Sequence, residues 1–140
     1  MKSNTNQGVE QKVLDQMIEI YKPNGYDWMG TPITSSNKLT YHHIVKEKDG
    51  GEVSISNGAL LTKSSHRLLH MLESRNMDLY EEWQWLFYAI NISGVHPLKP
   101  YQEMISELRK RTKEVIYNEE IDNQEDKVIY IDDVKLVLKR

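Results

Sequence analysis

The segment from residue 38 to residue 75 constrains the fold of this 140-residue chain more than any other part. It opens with the β-branched and aromatic run KLTYHHIV and passes through the polar loop KEKDGGE. It then resumes with VSISNGALL, which turns at Asn57-Gly58. A helical stretch, HRLLHMLESR, follows, with N-cap candidates Thr62, Ser64 and Ser65. The predicted order is therefore strand, loop, strand, helix.

The flanking sequence predicts helices on both sides of this segment. Apolar spacing predicts amphipathic helices over residues 9–21, 78–92 and 101–120, with Asp78 as the N-cap of the second. The apolar stripes comprise Val9, Val13, Met17, Ile18, Ile20 and Tyr21, then Leu79, Trp83, Leu86, Phe87 and Ile90, then Tyr101, Met104, Ile105, Leu108, Thr112, Val115 and Ile116. Between the first helix and the first strand, an irregular stretch is expected to be held on the core by Tyr26, Trp28 and Met29.

The C-terminal residues 127–140 alternate well enough to predict one strand or a tight hairpin about Asp132-Asp133. We see no internal repeat and no low-complexity tract. The fold class is therefore expected to be α+β, in a single domain over residues 1–140.

Composition limits the chemistry that this chain can carry. It contains no cysteine, which excludes disulfides, a thiolate nucleophile and a Cys-based zinc knuckle. The N-terminus lacks the apolar region of a secretory signal, and no apolar run approaches the length of a membrane span, so we expect a soluble, cytoplasmic protein. Residues 38–75 carry six Lys/Arg against four Asp/Glu, in a chain of formal net charge −3. That local excess suits a polyanion, and ordinary surface charge explains it equally well.

The same segment holds four of the five histidines. His66 and His70 are at i and i+4 of the predicted helix, so they share one face. Such a pair can hold a divalent ion, although it is at least as often a pair of surface or core histidines. His42 and His43 are neighbours on a strand and point to opposite faces. One of them could bind a metal while the other stays free for proton transfer.

Taken together, these residues resemble the HNH, or ββα-metal, endonucleases. The resemblance rests on HHI opening the first strand, DGG in the loop, NGALL after it, and His66 and His70 on the helix. It covers residues 38–75 in an HH-N-H-H variant. It implies a small ββα-metal core, here flanked by an N-terminal helix, two C-terminal helices and a C-terminal strand or hairpin. Many relatives carry structural-zinc cysteines in the window filled here by Thr62 and Ser65, so we expect this fold to be held by packing alone.

The resemblance also implies a role for each matching residue. His42, His66 and His70 would bind one divalent ion, His43 would be the general base, and Asn57 would fix the loop and orient His43. The implied reaction is metal-dependent hydrolysis of DNA to 5′-phosphate and 3′-hydroxyl ends, in a protein of phage or mobile-element type. The sequence does not choose among Mg²⁺, Mn²⁺, Ni²⁺ and Zn²⁺.

Other residues near the motif are open to two interpretations. Lys46, Lys48, Lys63 and Arg67 could meet phosphates or simply be solvated. Trp83, Trp85, Phe87 and Tyr88 could stack on bases, but Trp83 and Phe87 fit a buried stripe better. His96, in a loop beside a proline, is interpreted as incidental.

A second hypothesis is an HNH-fold binding protein that needs no nuclease activity, such as an anti-CRISPR-like inhibitor of a host defence enzyme. Its protein partner would meet the acidic residues Glu81, Glu82, Glu119, Glu120, Asp122, Glu125, Asp126, Asp132 and Asp133. The alternating C-terminal segment could also pair with a second copy to form a homodimer.

Overall fold

The computed structural model describes residues 2–94, 98–122, 127–131 and 134–138, with side chains over residues 8–94 and 99–118. Its fold is α+β. The helices and strands are α1 (Lys2–Tyr21), β1 (Leu39–His43), β2 (Gly58–Thr62), α2 (Lys63–Arg75), α3 (Met77–Ser93), α4 (Leu98–Asp122), β3 (Lys127–Ile131) and β4 (Val134–Leu138). Two short 3₁₀ turns, Glu47–Asp49 and Ile55–Asn57, lie between β1 and β2.

The predicted strand, loop, strand, helix order is present at residues 39–75. Strands β1 and β2 pair antiparallel, from Leu39 opposite Thr62 to His43 opposite Gly58. The second segment, predicted as a strand or extended stretch over residues 53–61, is a strand only from Gly58, because the 3₁₀ turn Ile55–Asn57 precedes it.

Helix α2 begins directly after β2 because Thr62 caps it. The Thr62 hydroxyl accepts a hydrogen bond from the backbone N–H of Ser65, satisfying one of the unpaired donors of the first turn. The buried residues Ser65, Leu69 and Leu72 lie at helical spacing and turn one face of α2 to the core.

The expectation that packing alone holds this region was wrong, because a buried polar network centres on Asp27. The Asp27 side chain is fully buried and accepts hydrogen bonds from the backbone N–H groups of Met29 and Thr31, both at 2.9 Å. Its other oxygen accepts from the N–H and the hydroxyl of Thr62, both at 2.8 Å. The Ser65 hydroxyl donates to the hydroxyl of Thr31 at 2.8 Å. This network ties the loop after α1 to the start of α2.

The core confirms most of the predicted apolar stripes. All five predicted stripe residues of α3 are buried, and so are Ile105, Leu108, Thr112 and Ile116 of α4. Trp28 and Met29 are buried as expected. The predicted apolar residues that prove to be exposed are Val9, Ile18, Ile20, Tyr26 and Met104. The buried face of α1 is formed by Val13, Met17 and Tyr21, which the pattern predicted, and by Leu14, which it did not include.

Helix boundaries differ slightly from the predictions. Helix α3 is capped by Asn76, whose side chain accepts from the N–H of Leu79, so the prediction of Asp78 as the cap was wrong. The C-terminal residues form the hairpin alternative, with Lys127 opposite Leu138 and Ile131 opposite Val134. Asp132, Asp133 and His96 lie outside the described residues.

Among the described residues, no helix combines the length and the apolar character that crossing a membrane requires.

Candidate metal centre

All four histidines of the motif line one cleft of about 230 Å³, between the β1–β2 hairpin, α2 and the start of α3. The other lining residues are Lys46, Glu47, Leu69, Glu73 and Tyr80. His42 lies on β1 and is 7% exposed, and its ring contacts those of His66 and Phe87 edge to face. The topology therefore brings His42 of β1 against His66 of α2.

A hydrogen-bond chain from α3 assigns the tautomer of His42. The Gln84 side-chain NH₂ donates to the carbonyl of Ile44 at 2.6 Å, so the amide oxygen is the atom that faces His42. This oxygen lies 2.7 Å from His42 Nε2 and can only accept. His42 Nε2 therefore carries the hydrogen, and in the neutral ring Nδ1 is left with a free lone pair.

A second chain, from β1, assigns the tautomer of His66. The Thr40 hydroxyl donates its one hydrogen to the carbonyl of Leu61 at 2.7 Å. Its oxygen, 3.0 Å from His66 Nδ1, must then accept from that nitrogen. In neutral His66 the free lone pair is consequently on Nε2.

The two nitrogens that carry these lone pairs are close together, since His42 Nδ1 lies 3.4 Å from His66 Nε2. Their partial negative charges repel each other. Burial lowers the pKa of His42 to about 3, and the neighbouring histidines lower it further, whereas the hydrogen bond that His42 donates to Gln84 acts to raise it. Burial, then the proximity of His70 and His43, also lowers the pKa of His66. Both rings are thus neutral near pH 7, and no hydrogen lies between the two nitrogens.

A cation between the nitrogens would remove this repulsion, and the spacing fits one. Tetrahedral ligands with metal–nitrogen bonds of about 2.0–2.1 Å stand about 3.3–3.4 Å apart. Ring N–H groups bound to neighbouring oxygens, as in His42 and His66, are the usual arrangement of metal-binding histidines. The donor pair therefore fits a divalent ion that accepts imidazole ligands.

The third predicted ligand, His70, is near this pair but is not directed at it. Its ring is stacked parallel to that of His66, with centroids 5.7 Å apart, and its side chain is 72% exposed. As the side chains are placed, the described part of the chain contains no group of three His, Asp or Glu residues that could hold a metal ion. The His70 rotamer explains the result, because it stacks the ring on that of His66 without converging the nitrogens of the pair.

His43, the predicted base, leaves β1 on the other face and contacts Tyr41 edge to face, with ring centroids 5.0 Å apart. Its Nε2 atom is buried and has no hydrogen-bond partner in the described residues. An imidazole nitrogen left unpaired in this way is energetically costly and is typical of groups reserved for a ligand or a reaction.

Asn57 fixes the loop between the strands. Its side chain accepts from the backbone N–H of Val45 at 2.8 Å and donates to the carbonyls of Val45 and Glu52 at 3.0 and 2.9 Å. Its described hydrogen bonds include none to the His43 side chain, so any effect on His43 acts through the loop backbone. Gly51 is needed here, since a Cβ at this position would collide with the Val45 carbonyl.

The remaining candidates are divided by the structure. Lys46 lines the cleft, whereas Lys48, Lys63 and Arg67 are exposed and are not among its lining residues. Trp83 and Phe87 are buried in the core as predicted, and Trp85 and Tyr88 are exposed.

Sequence reasoning missed Gln84, Thr40 and Glu73, which contact the histidines. One signal was present for Gln84: it lies one helical turn from Tyr80 and from Phe87, beside the predicted buried stripe, where a polar residue needs a partner.

In comparisons with known proteins, no protein-family model, no curated protein and no solved structure matches this chain.

Proposed function

We propose that this chain is a metal-dependent endonuclease of the HNH type that hydrolyses phosphodiester bonds in DNA. The observation that carries the proposal is the pair of unprotonated nitrogens, His42 Nδ1 and His66 Nε2, 3.4 Å apart in a cleft that also contains His43. The strand, loop, strand, helix order of residues 39–75 supports the same ββα-metal interpretation.

His42 and His66 would hold the ion, with His70 as the third ligand. The His70 side chain is largely exposed, so no core packing prevents its ring from turning towards the pair. When bound, the ion would polarise a non-bridging phosphate oxygen and stabilise charge on the leaving 3′-oxygen. Gln84 and Thr40 hold the rings of His42 and His66 in the tautomers that metal binding requires.

His43 is the proposed general base. As water attacks phosphorus, the imidazole accepts a water proton and the bond from phosphorus to the 3′-oxygen breaks, leaving its electron pair on that oxygen. A proton from solvent converts the 3′-oxygen into the 3′-hydroxyl end, and the other end keeps the 5′-phosphate. An imidazole suits this task because histidine is the side chain that most often acts as a general base in enzymes. The Nε2 atom, which is buried and has no partner in the described residues, would accept that proton in the tautomer that carries the ring hydrogen on Nδ1.

The competing hypothesis is a binding protein that acts through its acidic residues. Within the described side chains, Glu82 is already engaged, because Arg111 donates to both of its carboxylate oxygens, at 2.8 and 2.5 Å. Glu81 is exposed, and the side chains of the other proposed acidic residues lie outside the described range. The described acidic residues therefore support the binding hypothesis less than the cleft histidines support the nuclease.

The test is cleavage of a supercoiled plasmid by purified protein with Mg²⁺, Mn²⁺, Ni²⁺ or Zn²⁺ in turn, and with EDTA. Wild type should nick the plasmid with at least one ion, leaving ends that DNA ligase reseals. His43→Ala should lose about 10²–10⁴-fold in rate, the usual contribution of a general base. His96→Ala, the histidine outside the motif, is the matched control and should retain activity.

A folded wild-type protein that cleaves with no ion, or a His43→Ala protein as active as wild type, would contradict the proposal. If a biological effect survived His43→Ala and disappeared when Glu81 and the C-terminal acidic residues were neutralised, the binding hypothesis would replace it.

A further inference from the structure

Lys46 differs from the other basic residues of the motif in where its charge lies. It lines the cleft and is 30% exposed, with its ammonium group paired to Glu73 and 5.8 Å from the centre of the Tyr80 ring. A lysine beside the proposed metal ligands is placed to meet a phosphate that enters the cleft.

The backbone of Lys46 is held firmly. Its carbonyl accepts from the N–H groups of Asp49 and Gly51, both at 2.9 Å. The preceding residue, Val45, is bound through both its N–H and its carbonyl by the Asn57 side chain. The direction in which the Lys46 side chain leaves the loop is therefore fixed by contacts on either side.

Glu73 shares its carboxylate between two cleft residues. One oxygen pairs with Lys46, and the other lies 3.7 Å from His70 Nδ1, longer than a hydrogen bond. The Glu73 side chain is 22% exposed, so this pair is partly shielded from water. Apart from its histidines, the cleft holds one lysine and two glutamates, Glu47 and Glu73.

We infer that Lys46 is the cleft's contact for a backbone phosphate of duplex DNA, and that Glu73 holds the lysine until the phosphate takes the place of its carboxylate. The inference takes its ligand from the proposed function and deepens it by assigning the phosphate contact. The carboxylate acts as an internal anion on the same ammonium group that the phosphate would occupy. Once released, Glu73 is left next to the Nδ1 atom of His70, where a carboxylate orients a metal-binding imidazole.

The test is binding of a fluorescein-labelled DNA duplex, followed by anisotropy in EDTA at low ionic strength, where no cleavage can occur. Lys46→Ala should weaken binding by about tenfold and reduce the slope of log affinity against log salt by about one. Lys48→Ala removes the same charge two residues along the loop but outside the cleft, and should weaken binding by less than about threefold.

Glu73→Gln should strengthen DNA binding because it frees Lys46. Glu52→Gln changes an exposed acid in the loop that carries Lys46, and should have a much smaller effect. The gain from Glu73→Gln should largely disappear in the Lys46→Ala background, which measures the coupling between the two residues.

Equal losses in Lys46→Ala and Lys48→Ala, weaker binding by Glu73→Gln, or no binding by either wild type or Glu73→Gln would overturn the inference. Failure of the proposed function would be distinguishable, because it would appear as absence of metal-dependent cleavage while this metal-free binding pattern persisted.

Discussion

The Nδ1 atom of His42 lies 3.4 Å from the Nε2 atom of His66, and the hydrogen bonds on the far side of each ring leave both nitrogens without a hydrogen. One chain of bonds comes from α3, through Gln84. The other comes from β1, through Thr40. Hydrogen bonds from two separate elements thus leave both nitrogens of the pair without a hydrogen. This arrangement is expected of metal ligands rather than of histidines bonded to each other.

Replacing Gln84 with Met should weaken metal binding. The change keeps the length of the side chain but removes the acceptor of the His42 N–H, so the ring loses the partner that fixes its tautomer. We expect a loss of about 10–100-fold in Zn²⁺ affinity by isothermal titration calorimetry. Gln102→Met, on an exposed part of α4, is the control. Unchanged affinity in Gln84→Met would show that α3 does not support the site.

The parts of the fold that follow from local pattern could be predicted from the sequence. The buried stripe of α3, with Trp83 and Phe87, follows from apolar spacing, and the start of α2 follows from the capping preference of Thr62. The second strand was placed too early because Val53 and Ile55 alternate as a strand would. Instead, the Asn57 side chain forms hydrogen bonds with the backbone of Val45 and Glu52, and Ile55–Asn57 form a 3₁₀ turn.

The candidate metal centre could be predicted only in part. The histidine spacing identified the residues that line the cleft, but not the direction of the His70 ring, which depends on its side-chain rotamer. The position of Gln84 beside the buried stripe indicates that it needs a partner but not which one, because that depends on how α3 crosses the hairpin. Asp27 was missed for the same reason: a carboxylate in a loop is usually exposed, and this one is buried by hydrogen bonds from residues distant in sequence.

Stability in EDTA should fall as the pH is lowered from about 6.5. The folded state holds His42 neutral, with a pKa of about 3, whereas the unfolded chain takes up the proton at the ordinary pKa of 6.5. The unfolded state therefore binds more protons between these values, and stability falls by up to about 1.4 kcal/mol per pH unit from this residue. The lowered pKa of His66 acts in the same direction.

Urea unfolding at pH 6.5 and pH 5 measures this effect, and His42→Gln should show a smaller pH dependence than wild type by about 2 kcal/mol. Identical pH dependence in wild type and His42→Gln would contradict the burial of a neutral imidazole.

Asp27→Asn should destabilise the fold. An amide in place of the carboxylate directs an NH₂ group at the N–H and hydroxyl donors of Thr62, and an unsatisfied buried donor costs about 1–3 kcal/mol. The free energy of unfolding in urea measures the loss. Asp15→Asn, on the exposed face of α1, should stay within about 0.5 kcal/mol of wild type. A neutral Asp27→Asn would mean that the network does not stabilise the junction between the loop and α2.

Gly51→Ala should disrupt the loop that Asn57 fixes. The added methyl group collides with the Val45 carbonyl and lies 2.8 Å from the Asn57 amide nitrogen, so the loop must move. We expect a loss of more than about 2 kcal/mol in urea unfolding, together with lower plasmid cleavage. Gly8→Ala in α1 meets nothing within 4 Å and should be neutral or stabilising by up to about 1 kcal/mol. Equal stability of the two variants would show that the loop tolerates a side chain.

The tautomers of His42 and His66 test the central claim most directly. Long-range ¹H–¹⁵N correlation spectra of the ¹⁵N-labelled protein at pH 7 in EDTA should show His42 with its hydrogen on Nε2 and His66 with its hydrogen on Nδ1. Titration with Zn²⁺ should then shift His42 Nδ1 and His66 Nε2 together, while the two protonated nitrogens keep their hydrogens. A hydrogen on His42 Nδ1 or His66 Nε2 in EDTA, or spectra that Zn²⁺ leaves unchanged, would contradict the claim that this pair is a metal site.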